Sequence, residues 1–487
     1  MARNEDFFSA ILVEEGDFLP FSTPQGLWIQ ISDGVQKRIH KLDDGEAMVM
    51  AVKSAYKKRT GEYLSDKECL EEIGFLKLYA FETKLSRNLE QRMAYRETND
   101  TFFYDLDAFN GKAVKITAKG YKIVRTPSKT FLQNDTYKAQ VKPDKTAVAE
   151  ELPRLLKAHF TLQNQDQLLL LSTYLVGAFM SPVVKCPVLI FIGDKGSSKS
   201  TIMRRIESII DPKYTDLTGV SNSNADLQIQ LANNRFVSID NVSRLSQKTS
   251  DLLARAITGG SASKRKLYTD NEEVFLNLRC LVAINGIHLF AKSNDLLDRA
   301  LLFRLKRISP TKIKEESEQD KTFAKDLPKI MGAIFDSVSR VMADKKPVEF
   351  HRKIRMVDFF DAAIKIGRTF GLEDEKMSRI IWKNHEEVNK QSLQENLVAQ
   401  CLQEIMSDRT EYTGSVTELL HDLHMVAEDN SIRTSFLPGQ PNVLSRKLNE
   451  IKSNLEEEGI SYEIKNVGAF RQIHIVREDK KSKNSLH

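Results

Sequence analysis

The sequence predicts an α/β protein: a phosphate-loop core, preceded by a β-rich α+β domain and followed by a winged helix. Three observations carry this. Val188 to Ile192 (VLIFI) is a continuous apolar run of strand length, as a strand buried on both faces should be. It runs directly into Gly193 to Ser200, GDKGSSKS. Thr201 to Ile210 then sets Ile202, Ile206, Ile209 and Ile210 on one face of a helix. Strand, glycine loop, Lys-Ser and helix in that order make a phosphate-binding loop.

The loop's chemistry follows from its residue types. Gly193 and Gly196 permit the backbone angles that turn N–H groups toward one centre, and the helix N-terminus adds its dipole. Gly193, Asp194, Lys195, Gly196, Ser197, Ser198, Lys199, Ser200 and Thr201 form the expected cradle for ATP. Lys199 would reach the β- and γ-phosphates, and the Ser200 hydroxyl would hold Mg²⁺. Ser198 stands where the usual pattern GxxxxGK[ST] has its last glycine; a small residue suffices there if the position keeps φ negative. A Gly/Ser-rich turn that merely precedes a helix is the plain alternative.

The chain has 487 residues, 41% hydrophobic and 29% charged, which suits two to four soluble domains with ample core. A formal net charge of +5 is too mild to prove nucleic-acid binding, so any basic surface must be local. Cys69, Cys186, Cys280 and Cys401 are scattered singly, without metal or redox spacing, and suit reduced thiols in a cytoplasmic protein. MARNEDFFSA lacks the apolar core of a signal peptide. Leu168 to Ala178 (LLLLSTYLVGA) is too short to span a bilayer, and no membrane partner is expected.

Taken in order, residues 1–143 read as the β-rich α+β domain. Gly26 to Ile31 is strand-like. Ser65 to Thr83 is helical, with Ser65 and Glu68 spaced as a capping box. Gln91 to Arg96, Phe102 to Leu106 and Ala113 to Val124 read as strands, split by Asn99-Asp100 and Asn110-Gly111. Lys112, Lys115, Lys119 and Lys122 suit a solvated strand face or a nucleic-acid groove. Asp105 and Asp107 make a carboxylate pair, but no third acid or histidine supports metal chemistry there. Residues 144–372 read as the phosphate-loop domain, expected to be an ATPase, with its helical lead-in.

Arg235 to Asp240 is a second apolar strand, ending in an acid that would orient Mg²⁺ beside the loop; a helix N-cap is the alternative for Asp240. Asn241 follows where many such ATPases carry a glutamate that polarises water, leaving Glu272 and Glu273 as distant substitutes. Leu281 to Asn285 is a third strand, whose terminal amide can orient water against the γ-phosphate or simply start a turn. Between them Thr258 to Arg279 reads as a β-hairpin led by Lys264, Arg265 and Lys266, turning at Asp270-Asn271. DLLDRALLFRL then places Arg299 one helical approach beyond Asn285. It would reach a neighbour's nucleotide, or pair with Asp295 or Asp298.

Loop, Asp-Asn strand, hairpin, Asn strand tip and Asp-Arg segment, in that order, resemble the AAA+ ATPases of the clade holding superfamily 3 and minichromosome-maintenance-like helicases. GDKGSSKST, SIDNVS, SDLLARAITGG, RKLYTDNEEVF, AINGI, DLLDRALLF and RMVDF are similar to ATPases of prophages, plasmids and integrative islands, over roughly Leu168 to Phe359. The resemblance implies a homo-hexamer that encircles DNA, contacts it with the hairpin, and works beside a primase. It implies an ATP-dependent helicase or translocase in mobile-element replication, acting on single-stranded or forked DNA or an origin duplex. The alternative is an ATP-dependent switch or helicase loader that unwinds little. It also implies Arg355, in RMVDF, as a nucleotide-sensing arginine, with a helix-capping salt bridge as the other reading.

Residues 373–408 read as a helical lid or linker and residues 409–477 as the winged helix. Val416 to Leu423 and Val443 to Leu455 are helices, the second opened by Pro441-Asn442 and closed by Gly459. Ser461 to Val476 makes a two-stranded wing around Val467-Gly468. Asn442, Ser445, Arg446, Asn449 and Lys452 are expected on or near the exposed face of the second helix, to meet DNA, although many winged helices bind protein instead. Residues 478–487 read as a disordered tail.

Overall fold

The computed structural model describes residues 7–23, 26–32, 37–43, 45–83, 89–107, 110–127, 130–132, 136–219, 223–265, 273–289, 293–307, 315–350, 354–467 and 470–478. A first unit comprises α1 (Phe8–Glu14), β1 (Phe18–Thr23), β2 (Gly26–Ser32), β3 (Lys37–Lys41), α2 (Gly45–Thr60) and α3 (Asp66–Glu82). Its strands pair antiparallel in sequence order, and Phe18, Ile29, Val52 and Leu76 share a small core. The capping box forms: Ser65 Oγ accepts from the Glu68 N–H, and the Glu68 carboxylate accepts from the Ser65 N–H at 2.9 Å.

A second sheet holds β4 (Met93–Arg96), β5 (Thr101–Asp107), β6 (Lys112–Thr117) and β7 (Gly120–Arg125), antiparallel in that order. The run Ala113 to Val124 is therefore a hairpin, not one strand. Thr117 pairs with Gly120, whose φ of 122° is one that only glycine adopts readily. One face of this sheet, with Phe102, Tyr104, Val114 and Ile116, packs into the same core as Leu169, Phe179 and Phe335. The apolar interior thus runs on past Pro143, where the sequence suggests a boundary. A buried ion pair, Arg92 Nε to Asp211 at 2.9 Å, ties the sheet to the central region.

That region contains α4 (Leu152–Lys157), α5 (Gln165–Phe179), β8 (Val188–Ile192), α6 (Lys199–Ile210), β9 (Thr218–Gly219), α7 (Asn224–Asn233), β10 (Phe236–Asp240), α8 (Gln247–Thr258), β11 (Ser261–Arg265), β12 (Glu273–Asn277), β13 (Leu281–Gly286), α9 (Asn294–Leu297) and β14 (Ala300–Arg304). Five of these strands form one parallel sheet in the order β14-β8-β13-β10-β9. Every residue of β8 and β13 is buried, as interior parallel strands require. Leu168 to Phe179 of α5 is buried all round, which accounts for its unbroken apolar sequence. β11 and β12 pair antiparallel, while Lys266 and the turn at Asp270-Asn271 lie outside the described residues. The segment DLLDRALLF divides between two elements. One turn of helix ends at Leu297, and ALLFR is the edge strand beside β8.

Four helices come next: α10 (Glu316–Ala343), α11 (Val357–Thr369), α12 (Asp374–Gln394) and α13 (Leu397–Ile405). The segment 373–408 divides among three cores, Val388 joining the one that holds Val188, Ile190 and Leu302. Met377, Ile380 and Ile381 of α12 join the main core, and Asn384 closes the open edge of β14, accepting from the Leu302 N–H at 3.1 Å and donating to its carbonyl at 2.6 Å. Val398, Cys401 and Leu402 of α13 belong to the C-terminal core. That core also holds β15 (Glu411–Ser415), α14 (Val416–Asp429), α15 (Pro441–Glu450), α16 (Lys452–Glu457), β16 (Ile460–Val467) and β17 (Phe470–Arg477). The three strands pair antiparallel in the order β15-β17-β16. The helix expected over Val443 to Leu455 breaks at Ile451 into α15 and α16. Gly468 lies outside the described residues.

Candidate nucleotide site and its surroundings

The loop sits at the carboxyl end of β8, where α6 begins. Gly193 is required by crowding: a Cβ there would stand 2.4 Å from the Leu305 carbonyl oxygen. Gly196 is required by its φ of 79°. Ser198 takes φ 61° and ψ 27° as the N-cap of α6. The condition of a negative φ is not met: the serine adopts the left-handed conformation that a glycine would hold without strain. Ser197 is buried, and its hydroxyl donates to the Asp194 carbonyl at 2.8 Å, so this side chain braces the loop. Lys199 Nζ donates to the Gly193 and Asp194 carbonyls at 2.6 and 2.9 Å, and burial holds its pKa below the ordinary lysine value. Asp194 and Lys195 are exposed, and Thr201 is half-buried on the first turn of α6.

β13 separates β8 from β10, yet the two strand ends meet. Ser200 Oγ donates to the Asp240 carboxylate at 2.9 Å. Asp240 caps no helix; its carboxylate is taken up by Ser200 and by the Asn285 amide. Asn285 is buried, and its amide is committed on both sides: Nδ2 donates to Asp240, and Oδ1 accepts the Asn241 N–H at 2.8 Å. It therefore positions Asp240 and the turn after β10, instead of offering a free amide to water. Asn241 is exposed, with φ 57°. Glu272 lies outside the described residues.

The two arginines lie elsewhere. Arg299 ion-pairs with Asp295, as the local reading of that segment allows. Arg355 bridges Asp295 at 2.8 Å and Asp298 at 3.2 Å. Both stand where β14 begins, at the amino ends of the strands; the loop lies five residues further along β8, from Val188 to Gly193, roughly 17 Å at about 3.3 Å per residue. Arg355 is thus not brought to this chain's own phosphate loop, contrary to its place among the expected ATP-binding residues. The parallel register of β14 with β8 is the reason: it separates the start of one strand from the end of the other.

That register also reveals a residue the sequence reading missed. β14 delivers its carboxyl end, Leu305-Lys306-Arg307, to the loop, and Arg307 Nε lies 3.9 Å from where a side chain would begin at Gly196. Arg307 is exposed, and among the described residues no carboxylate pairs with it. The available signal was a basic pair two residues beyond a strand that was not recognised as one.

The hairpin places Lys264 opposite Val274 and Arg265 opposite Glu273. In α15, Asn442, Arg446 and Asn449 are exposed, as is Lys452 at the start of α16. Ser445 is a correction: it is buried, and its hydroxyl donates to the Pro441 carbonyl at 3.0 Å, because it shares the inner face with Leu444 and Leu448. Asn449 accepts from the Tyr462 hydroxyl at 2.8 Å.

Parallel sheet, phosphate loop and a hydroxyl–carboxylate pair at the strand tips have the form of a phosphate-loop nucleotide-binding core. Residues 153–381 match the family described as the actinomycete integrative conjugative element replication protein, and residues 398–484 match the AICE RepA C-terminal domain. Over both regions the chain is similar to a replication protein of a mobile element. No curated protein matches it. Among solved structures, the A form apo structure of the NrS-1 C-terminal region is 13% identical, covering 97% of this chain and 100% of that one at a TM-score of 0.43. A crystal structure of JCV helicase with a substituted acetamide bound is 15% identical, covering 48% of this chain and 61% of that one at a TM-score of 0.26. No helix among the described residues is long and apolar enough to cross a membrane.

Proposed function

We propose that this chain is an ATP-driven DNA translocase and helicase that replicates a mobile element as a homo-hexamer in the cytoplasm, with a primase as working partner. The observation that carries the reading is the contact of Ser200 Oγ with Asp240 at 2.9 Å beside Lys199. A hydroxyl, a carboxylate and an ammonium meeting at a phosphate loop is the chemistry of nucleoside triphosphate binding. Ser200 and Asp240 are the residues that would hold Mg²⁺, which would supply positive charge against the phosphates. Lys199 binds the phosphates, Asn285 fixes the Asp240 carboxylate, and Arg307 approaches the loop from β14.

Arg299 and Arg355 support assembly. They lie too far from this chain's loop to serve it, but two arginines held side by side by Asp295 and Asp298 suit a neighbour's γ-phosphate. The hairpin with Lys264, Arg265 and Lys266 would grip strand phosphates, and the C-terminal unit, read as a winged helix, would present Asn442, Arg446, Asn449 and Lys452 to duplex DNA. A switch or helicase loader is the second reading. It is favoured by Asn241, which puts an amide where a water-activating acid would stand. Strand displacement on forked DNA, with ATP turnover measured alongside, tests the proposal. Displacement that requires ATP and is lost in Lys199→Ala supports it. Nucleotide-dependent DNA binding without displacement moves the assignment to the loader.

A further inference from the structure

At the sheet's other end, under the root of the hairpin, lies a cavity of about 370 Å³ walled by Ser181, Lys185, Cys186, Arg235, Arg279 and Cys280, among others. The root is closed by the Leu278 N–H donating to the Gly260 carbonyl at 2.9 Å. Arg235 forms the floor and is 3% exposed. It donates to the Ser181 hydroxyl and weakly, at 3.5 Å, to the Arg279 carbonyl, while its Nε is buried with no acceptor among the described residues. Arg279 is exposed at the mouth, held by the Ser181 carbonyl at 2.9 Å, and Lys185 is exposed beside it.

The charges here do not cancel. Among the described residues no carboxylate lies within ion-pair distance of Arg235, Arg279 or Lys185; Glu90 acts on Arg235 only through space. The two thiols cannot compensate, because burial pushes Cys186 and Cys280 each up to about 12 and keeps them neutral. The carboxyl end of α8, at Thr258 and Gly259, contributes only a partial negative charge. A buried cation without a partner is costly, and two guanidinium forks with an ammonium form the donor set that suits a phosphate group.

We propose that Arg235, Arg279 and Lys185 form a phosphate-binding site at the hairpin root, distinct from the nucleotide loop. The shared chemistry is a phosphate anion, supplied either by the backbone of a nucleic-acid strand running along the hairpin or by a free phosphate. The strand source rests on the DNA-translocase reading; the site itself does not. The full chain is assayed without nucleotide, so the result does not depend on turnover. Anisotropy of a labelled oligothymidylate across a salt series reads the strand source. Calorimetry with inorganic phosphate reads the free source, in a Lys199→Ala background that silences the loop. The test variants are Lys185→Ala with Arg279→Ala, both exposed, and separately Arg235→Lys, with thermal melting to verify folding. Two lost strand contacts should lower the salt slope by roughly 1.4. A lowered slope in the folded double variant establishes the strand source. An unchanged slope with lost phosphate binding establishes the free source. No change in either assay overturns the site. A wild-type protein that neither hydrolyses ATP nor unwinds forks would remove the motor reading and leave this one standing.

Discussion

Ser198 is the residue at which the loop departs from its usual pattern, and its left-handed backbone makes a prediction. Holding a non-glycine residue there costs about 1–2 kcal/mol, partly offset in the native protein by the smaller entropy of its unfolded chain. Ser198→Gly should therefore keep nucleotide affinity and melt no lower than the parent. Ser198→Val, with a β-branched side chain that rejects positive φ, should lose most nucleotide binding. Equal binding by both variants in a fluorescent-nucleotide titration would show that the angle does not matter. Arg307 makes the second. It reaches the loop from β14 while Arg355 does not, so Arg307→Ala should weaken ATP affinity in the isolated protomer and Arg355→Ala should leave it unchanged. The reverse order would exchange their roles. Sequence spacing could not have decided between them: the register of β14 beside β8 places Arg307, and ion pairs to Asp295 and Asp298 place Arg355.

At the scale of the element, the amino end of β14 carries Arg299 and Arg355 on a shared Asp295. If they serve a neighbour, Arg299→Ala should cut turnover by roughly 10³ or more without changing the protomer's affinity for ATP. Mixing it with Lys199→Ala should restore part of the activity, because some interfaces then pair an intact loop with an intact arginine. Turnover that stays at the wild-type level in the single variant rules this out. A different element, β5, carries Asp105. It is fully buried near Arg92 and Asp107, with neither carboxylate oxygen hydrogen-bonded among the described residues. Burial pushes its carboxyl up to about 7, against the pull of Arg92. The folded pKa is thus above the unfolded value. The stabilisation is complete below about pH 4, declines as the unfolded state ionises first, and is lost once pH passes about 7. Asp105→Asn should flatten the melting profile across that window, where one such group changes stability by up to about 1.4 kcal/mol per pH unit. An unaltered profile in the variant would mean that Asp105 carries no excess proton. The first acid of the pair that the sequence showed is therefore a buried structural group.

At the scale of the whole molecule, the sequence by itself determined the local chemistry. An apolar run, a glycine loop, Lys199-Ser200 and an amphipathic helix are contiguous, so their order alone specifies a phosphate loop. The acid at the end of β10, the Ser65 cap and the hairpin after α8 were legible for the same reason: each rests on neighbours in the chain. Tertiary structure decided everything that depends on which elements lie side by side. β9 has two residues and β14 five, too short for periodicity to separate strand from helix. Their places in the sheet were set by pairing. The core shared by β5, α5 and α10 erased the boundary near Pro143, because burial of apolar area takes no account of chain order. The segment after Glu373 was divided among three cores for the same reason. Ser445 was turned inward by the face on which Leu444 and Leu448 pack. Asn285 was tied to Asp240 across two strands. Arg235, Arg279 and Lys185 lie far apart along the chain and were gathered only by the sheet's amino ends. Side-chain chemistry is written residue by residue, whereas a site is made by proximity, and proximity across a parallel sheet is decided only when the strands have paired.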